Sequence, residues 1–419
     1  MLNAPLHAAD PRPAPCVLSH RLRVFKTLRS DPWARPTRRY TRPPGRVRAP
    51  TARFNEAALE ALLERGVAIT LYTRRWPETR VQLIEPVMCN PLYIGRLWRD
   101  WGFARTVTGK IARTPPELVL SHERLLCCDV YRAGNGVHQV RLEECLRDES
   151  AFARRMVEWS PYHRYVLEME RQLYASPALR AVICDSKMVR DEIRDRFGVT
   201  EDKLRVIYNA VDSDVFSPQL RQQHRAAVRG QLGVAESATV FLIRSSEGRE
   251  GAATAISALA RLPRDTYLFV VGRDRGRGLY RRLAEELGIA NRVALLGPQE
   301  DPRPFYGAAD AFVLPTLYDP CPGAALEAMA CGLPLVTSTK CGVAELVVEH
   351  DAGFVCPARD IDSLAWHMTT LTDAGARTTL GARAREAVLP LTPPAMTLQL
   401  VLLYRDLLAA AHAATAERG

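Results

Sequence analysis

From Asn55 onward the chain switches between two hydrophobic periods. Ala58, Leu59, Leu62 and Leu63 recur at i, i+1, i+4 and i+5 between Glu56, Glu60 and Glu64, and Gly66 follows where a helix would stop, so an amphipathic helix is predicted there. The apolar run 67–72 is short and bounded by charge, as a buried strand is, and 117–121 and 181–184 are further strand candidates. A polar stretch over 221–236 then separates this text from a second series. There, strands at 239–243, 266–271, 292–296, 311–314 and 335–338 alternate with helices at 252–261, 279–287, 324–330 and 362–371. Strict alternation specifies parallel sheets covered by helices on both faces. The predicted architecture is α/β: two Rossmann-like, doubly wound domains over 51–212 and 213–395, facing a cleft at the carboxyl ends of their strands. A last helix, in 396–419, follows the second unit and can pack on either.

A chain of 419 residues is long enough for two or three domains, and no apolar run reaches the roughly 18 to 20 residues of a membrane span. The formal charge of +10 invites a nucleic-acid reading until it is located. Residues 1–50 carry eleven Lys/Arg against two Asp, nine of the 29 prolines and one glycine, whereas the remainder is close to neutral. That composition predicts an irregular basic segment over 1–50, without the apolar core of a secretory signal. The ten cysteines form no Cys-x-x-Cys pair, which fits small buried hydrophobes in a cytoplasmic protein rather than a zinc site or a disulfide framework.

The most informative segment is Leu317-Tyr-Asp-Pro-Cys-Pro-Gly-Ala-Ala-Leu-Glu-Ala-Met-Ala-Cys-Gly-Leu-Pro-Leu-Val-Thr-Ser338. Pro320 to Gly323 should deliver the chain from a strand end into a helix whose free N–H groups face the cleft and attract phosphate. Asp319 in the loop and Glu327 on the helix can flank one ligand and accept hydrogen bonds from sugar hydroxyls. The alternative for Glu327 is that it only complements the helix dipole.

These residues resemble glycosyltransferase family 4, retaining enzymes of the GT-B fold that use nucleotide-sugars. The family's carboxylate, seven residues, then Glu-Ala leads into a Cys-Gly-x-Pro-x-Val-type strand, with Asp319 in the place of the usual first Glu and Glu327 matching the second. Val206-Ile-Tyr-Asn-Ala-Val-Asp-Ser-Asp-Val-Phe-Ser-Pro218 is similar to its hinge motif, Cys341-Gly-Val-Ala-Glu345 and Gly353-Phe-Val-Cys-Pro357 also fit, and the likeness runs over roughly residues 55 to 390. The resemblance implies that Glu327 holds the nucleotide ribose and Asp319 the transferred sugar. The N–H groups around Gly323 and Ala324 would hold sugar and diphosphate, and Arg244 would neutralise the leaving diphosphate. It implies no metal or other cofactor, a nucleotide-sugar co-substrate expected to be UDP-linked, and front-face displacement without an obligatory side-chain base. Asp212-Ser-Asp214 imitates a metal-binding Asp-x-Asp but belongs to the hinge motif. In Arg244-Ser-Ser-Glu-Gly-Arg-Glu-Gly251, Glu250 stands where a Lys is expected, so either Arg249 substitutes as a donor-binding cation or donor binding is impaired.

In the first domain, Ser121-His-Glu-Arg124 and Cys128-Asp-Val-Tyr-Arg-Ala-Gly-Asn-Gly-Val-His138 resemble the lipopolysaccharide-core hexosyltransferase branch. The likeness makes Asp129 the leading catalytic candidate, beside Asp319 and Arg244, with His122, His138 and Asn135 on the acceptor side. A hydrogen-bonded structural role is the plainer account of either His. Trp98, Trp101 and Phe103 interleave with Arg96, Arg99, Arg105, Lys110 and Arg113, a pattern suited to a membrane headgroup region or to a helix packing its aromatics on the sheet.

The family's glycine-rich first loop is replaced by Pro- and Arg-rich text up to Phe54, which is read as a disrupted frame or misassigned start. The expected function is hexose transfer from a nucleotide-sugar to a lipid-linked glycan such as the lipopolysaccharide core, by a cytoplasmic protein peripheral to the inner membrane. The rivals are a catalytically weak homologue acting as a binding protein, which Glu250 and the missing loop favour, and a basic-tailed nucleic-acid binder.

Overall fold

The structure, a computed structural model, describes residues 21–25, 63, 68–74, 85–244, 251–273 and 276–416. The helix expected from Asn55 and the residues Arg249 and Glu250 lie outside the described residues.

Two parallel sheets carry the chain. The first has the order β3-β2-β1-β4-β5-β6-β7, from β1 (Arg21–Phe25), β2 (Ala68–Thr73), β3 (Glu85–Met88), β4 (Leu118–Ser121), β5 (Val130–Arg132), β6 (Ala181–Cys184) and β7 (Leu204–Val206). The second runs β10-β9-β8-β11-β12-β13, from β8 (Thr239–Arg244), β9 (Thr266–Val271), β10 (Val293–Gly297), β11 (Ala311–Leu314), β12 (Leu335–Ser338) and β13 (Gly353–Cys356). Central strands such as Ala181–Cys184 and Ala311–Leu314 are buried at every position, as helices on both faces require. Strand order reverses at β1/β4 and at β8/β11, and such switch points open crevices at the carboxyl ends.

Helices of the first domain are α1 (Gly95–Arg113), α2 (His138–Leu146), α3 (Ala151–Glu158), α4 (Pro161–Tyr174) and α5 (Lys187–Phe197). Those of the second are α6 (Gln219–Gln231), α7 (Ala252–Leu259), α8 (Arg277–Glu286), α9 (Arg303–Ala308), α10 (Gly323–Ala330), α11 (Ala344–Glu349), α12 (Ile361–Thr370) and α13 (Ala374–Val388). The last, α14 (Pro393–Ala416), returns to the first domain: Met396, Leu400, Tyr404 and Leu408 repeat every four residues and bury against Ile69, Leu71, Leu118 and Leu120. The stretch Ala374–Ala410 is apolar enough over one window to cross a bilayer by length and composition, and in the fold its last helix covers this sheet face.

Two expectations are corrected. Residues 1–50 are not irregular throughout, because Arg21–Phe25 forms a central strand in register with Ala68–Tyr72 on one side and Leu118–Ser121 on the other. Its apolar Leu22, Val24 and Phe25 were outvoted by surrounding prolines and arginines in the composition of the block. The polar stretch after Pro218 is not a connection but largely helix α6.

Candidate functional site

On the donor side, β8 ends at Arg244 and β11 leads through residues 315–322 into α10, so both chain segments deliver side chains to one crevice. Glu327 lies on the second turn of α10 and is 2% exposed. Its Oε2 accepts from the Tyr306 hydroxyl at 2.8 Å and pairs with the Arg244 guanidinium, which also donates to the Tyr306 oxygen at 3.0 Å. Burial pushes the Glu327 carboxyl up, and Arg244 and Tyr306 pull it back. For Arg244, burial alone would lower its pKa, but Tyr306 and Glu327 outweigh burial and hold the guanidinium charged. The expectation that Arg244 faces a diphosphate is therefore modified: here it is bound to Glu327, with its side chain 30% exposed. Glu327 Oε1 carries no bond among the described residues and can accept from a ligand hydroxyl.

Asp319 is half-buried in the loop before α10, where its Oδ1 accepts the Cys321 N–H at 3.3 Å and its backbone bridges to Cys341. Gly323 and Ala324 are the first residues of α10, so their N–H groups have no intrahelical acceptor. The segment after β8 returns at Gly251, whose φ of +79° and lack of a side chain let it lie against the Pro315 carbonyl; a Cβ there would come within 2.2 Å of that oxygen. Asp212 turns its carboxylate onto its own loop, accepting from Asp214 and Val215 N–H.

Asp129 is misplaced by the sequence reading. Strand β5 begins only at Val130, so Asp129 sits at the amino end of the sheet, opposite the cleft. Its Oδ2 accepts the Val119 N–H at 2.7 Å and its carbonyl accepts from Arg180 and Ala181, which ties the starts of β4, β5 and β6 together. Burial pushes its carboxyl up. His122 follows β4 at the cleft end, and Asn135 is exposed in the turn after β5. His138 is buried at the start of α2: Arg141 donates to its Nδ1 at 2.7 Å, so Nε2 carries the proton and donates to His163 at 3.1 Å. Burial, then Arg141, hold it neutral, with a pKa of about 2. Both ring nitrogens are thus taken within the protein.

What stands at the carboxyl end of β5 is Arg132, buried and bonded to Asp185 at 3.0 Å and to Asn209 Oδ1 at 3.1 Å. Asn209 in turn donates to the Cys321 carbonyl in the donor loop at 2.9 Å. Tyr318, next to Asp319, accepts the Val137 N–H at 2.9 Å and donates to Glu192 at 2.8 Å, and Gly136 passes so close that a Cβ would lie 2.2 Å from the phenol oxygen. Glu345 receives the Lys187 and Met188 N–H groups at 2.8 and 3.0 Å, so the second domain caps α5 of the first. Asn209, Glu345, Arg132 and Tyr318 stand within the motifs but were given no role there; Asp185 and Tyr306 had no sequence signal of their own.

Comparison with known proteins agrees with this geometry. Residues 51–215 match the model for Glycosyltransferase Family 4, and residues 225–387 match the model for glycosyl transferases group 1. The lipopolysaccharide glucosyltransferase WaaG of Escherichia coli is 24% identical over 70% of this chain and 77% of its own length. A D-inositol 3-phosphate glycosyltransferase of Xylanimonas cellulosilytica is 29% identical over 53% of this chain, and the match spans 55% of that relative. The crystal structure of WaaG superposes with a TM-score of 0.70 at 20% identity, covering 90% of this chain and 98% of the other. Anabaena HepE in complex with UDP and glucose superposes with a TM-score of 0.64 at 18% identity, covering 92% of this chain and all (100%) of that one. With one of the two models on each Rossmann-like half, the chain belongs to the GT-B glycosyltransferases of family 4 and group 1.

Proposed function

We propose that the protein transfers a hexose from a UDP-sugar to a lipid-linked glycan acceptor, of which lipopolysaccharide core is the leading class, with retention at the anomeric carbon. The observation that carries the donor half is Glu327, held rigidly on α10 by Arg244 and Tyr306 with one oxygen left to accept from a ribose hydroxyl. Arg244 is assigned to the diphosphate beside its bonds to Tyr306 and Glu327, and Gly323 and Ala324 present the start of α10 to it. Asp319 is assigned to the transferred sugar; His122 and Asn135, at the cleft ends of β4 and β5, are assigned to the acceptor. WaaG is named as a lipopolysaccharide glucosyltransferase and HepE binds UDP and glucose, which supports both halves of this reading.

A cytoplasmic location against the membrane face is part of the proposal. Trp98 and Trp101 on α1 are exposed beside basic residues, and Phe152, Met156 and Trp159 line one face of α3 or its end, all exposed, next to Arg154 and Arg155. Such aromatic and basic surfaces suit a headgroup layer.

Titration of the full-length chain with UDP by calorimetry tests the donor half. Saturable binding, lost in Glu327→Ala and strengthened in Glu250→Lys, is expected; unchanged affinity in both variants would refute the placement of the nucleotide. No binding by the parent chain would favour the second reading, a homologue without turnover, to which Glu250 points.

A further inference from the structure

Strand β2 ends at Thr73, so Arg74 stands at the cleft end of the first sheet, the end that also bears His122 and Asn135. Its residue is 9% exposed, yet its Nε and NH1 have no hydrogen-bond acceptor among the described residues. A buried guanidinium is rarely left this way, because desolvated donors without partners are costly. The nearby carboxylate does not serve it. Asp100 is taken by Arg99, whose Nε donates to Oδ1 at 2.8 Å and NH2 to Oδ2 at 3.3 Å. Arg74 NH1 is left 3.9 Å from Asp100 Oδ1, beyond hydrogen-bond range, with its guanidinium carbon 5.7 Å from the centre of the Tyr93 ring. Asp100 thus serves Arg99, and Arg74 is left with only the longer-range charges of Asp100 and Glu123. Burial, and then the charge of Arg99, depress the pKa of Arg74, and Asp100, Tyr93 and Glu123 pull it back only in part.

We infer that Arg74, assisted by Arg99, forms an oxyanion subsite on the acceptor side of the cleft, and that the glycosyl acceptor carries a phosphate ester or a carboxylate. The inference deepens the proposed function and rests on its assignment of the first domain to the acceptor. The guanidinium offers two unsatisfied donors and a charge, which is what a phosphate or carboxylate oxygen recognises. The Tyr93 ring beneath it fixes the plane of the guanidinium.

The test uses the full-length protein saturated with UDP, so that the donor pocket is closed to competing anions, titrated by calorimetry with inorganic phosphate and, in a parallel arm, with acetate. Saturable binding of either anion is expected, phosphate dominating for a phosphorylated acceptor and acetate for a carboxylated one. Arg74→Gln should weaken that binding by about tenfold or more, as loss of a charged hydrogen bond does, and Arg74→Lys should weaken it less. UDP affinity should be unchanged in both variants, which also shows that they are folded. If Arg74→Gln fails to fold, Arg74→Lys against the parent supplies the comparison: a smaller but measurable loss of anion binding is expected, and equal binding would overturn the subsite. Absence of anion binding by the parent chain, or equal binding by the variants, would overturn the subsite while leaving the UDP result standing. Failure to bind UDP would instead strike the proposed function, and the difference between parent and Arg74→Gln in phosphate alone would still decide the subsite.

Discussion

Asp129 and Arg132 belong to one short motif, but three residues along a strand are about 10 Å, enough to place them at opposite ends of β5. The carboxylate that looked catalytic fastens the amino ends of three strands; the arginine given no role in the motif reaches the cleft. Asp129→Ala is accordingly expected to lower unfolding free energy by about 1 to 3 kcal/mol, the cost of leaving a buried N–H unpaired, with UDP affinity intact. Denaturant unfolding and calorimetry on the same variant check both halves. His138 yields a pH prediction. Its pKa falls from about 6.5 unfolded to about 2 folded, so below pH 6.5 the unfolded chain takes up a proton that the native one does not. Stability should therefore fall as pH drops from 6.5 toward 2, by at most about 1.4 kcal/mol per pH unit from this group, and His138→Gln should flatten that slope in urea titrations at pH 7 and pH 5. The motif positions Asp319 and Glu327 were legible in the sequence, where spacing carries the signal. Roles were not legible where function depends on which end of a three-residue strand a side chain occupies.

At the level of elements, the helix α6 shows why one kind of structure stayed hidden. Arg221, Arg225 and Arg229 recur every four residues and converge on the single carboxylate of Asp310, with Leu220 and Val228 buried beside them. Periodicity is normally read from apolar residues, and here only Leu220 and Val228 are buried apolar positions, with Arg229 buried beside them, so the segment passed for a linker. Arg229 is fully buried, donating to the carbonyls of Ala235, Glu236, Ala238 and Ala308, and Asp310 also accepts the Val240 N–H at 2.9 Å. Burial alone would raise the Asp310 pKa, but Arg229 and Arg225 outweigh it and hold the carboxyl below its ordinary value. Asp310→Ala would leave a buried cation unpaired and should cost about 3 to 5 kcal/mol, far more than the exposed pair Arg171–Glu168 could contribute. A thermal melt of Asp310→Ala beside Glu168→Ala makes the comparison directly. The strands and helices of the second domain were legible because apolar runs and helix faces alternate without interruption. The strand Arg21–Phe25 was not, since five residues cannot outweigh the composition of fifty.

Across the whole molecule, the two domains meet through groups that sit beside the proposed chemistry. Glu345 caps α5, Lys340 reaches Glu192 at 2.9 Å, and Tyr318 joins Glu192 to the Val137 N–H while adjoining Asp319 in sequence. Two loops, 133–137 after β5 and 315–322 after β11, are thereby fixed relative to one another, and they carry an acceptor candidate, Asn135, and the sugar candidate, Asp319. On the proposed function, closure of the cleft and alignment of the two substrates are one event, because the Tyr318 hydroxyl that joins the domains lies one residue from Asp319, the carboxylate assigned to the sugar. Tyr318→Phe keeps the ring that packs against Gly136 and removes only the hydroxyl. If closure aligns the substrates, turnover should fall about tenfold, near 1.4 kcal/mol in the barrier, while UDP affinity stays within experimental error, since the residues proposed to hold the nucleotide, Glu327 and Arg244, lie in one domain. Small-angle scattering with UDP bound should show the variant more open than the parent. Turnover falling together with UDP affinity would place Tyr318 in the donor pocket itself, and unchanged turnover would separate domain contact from catalysis.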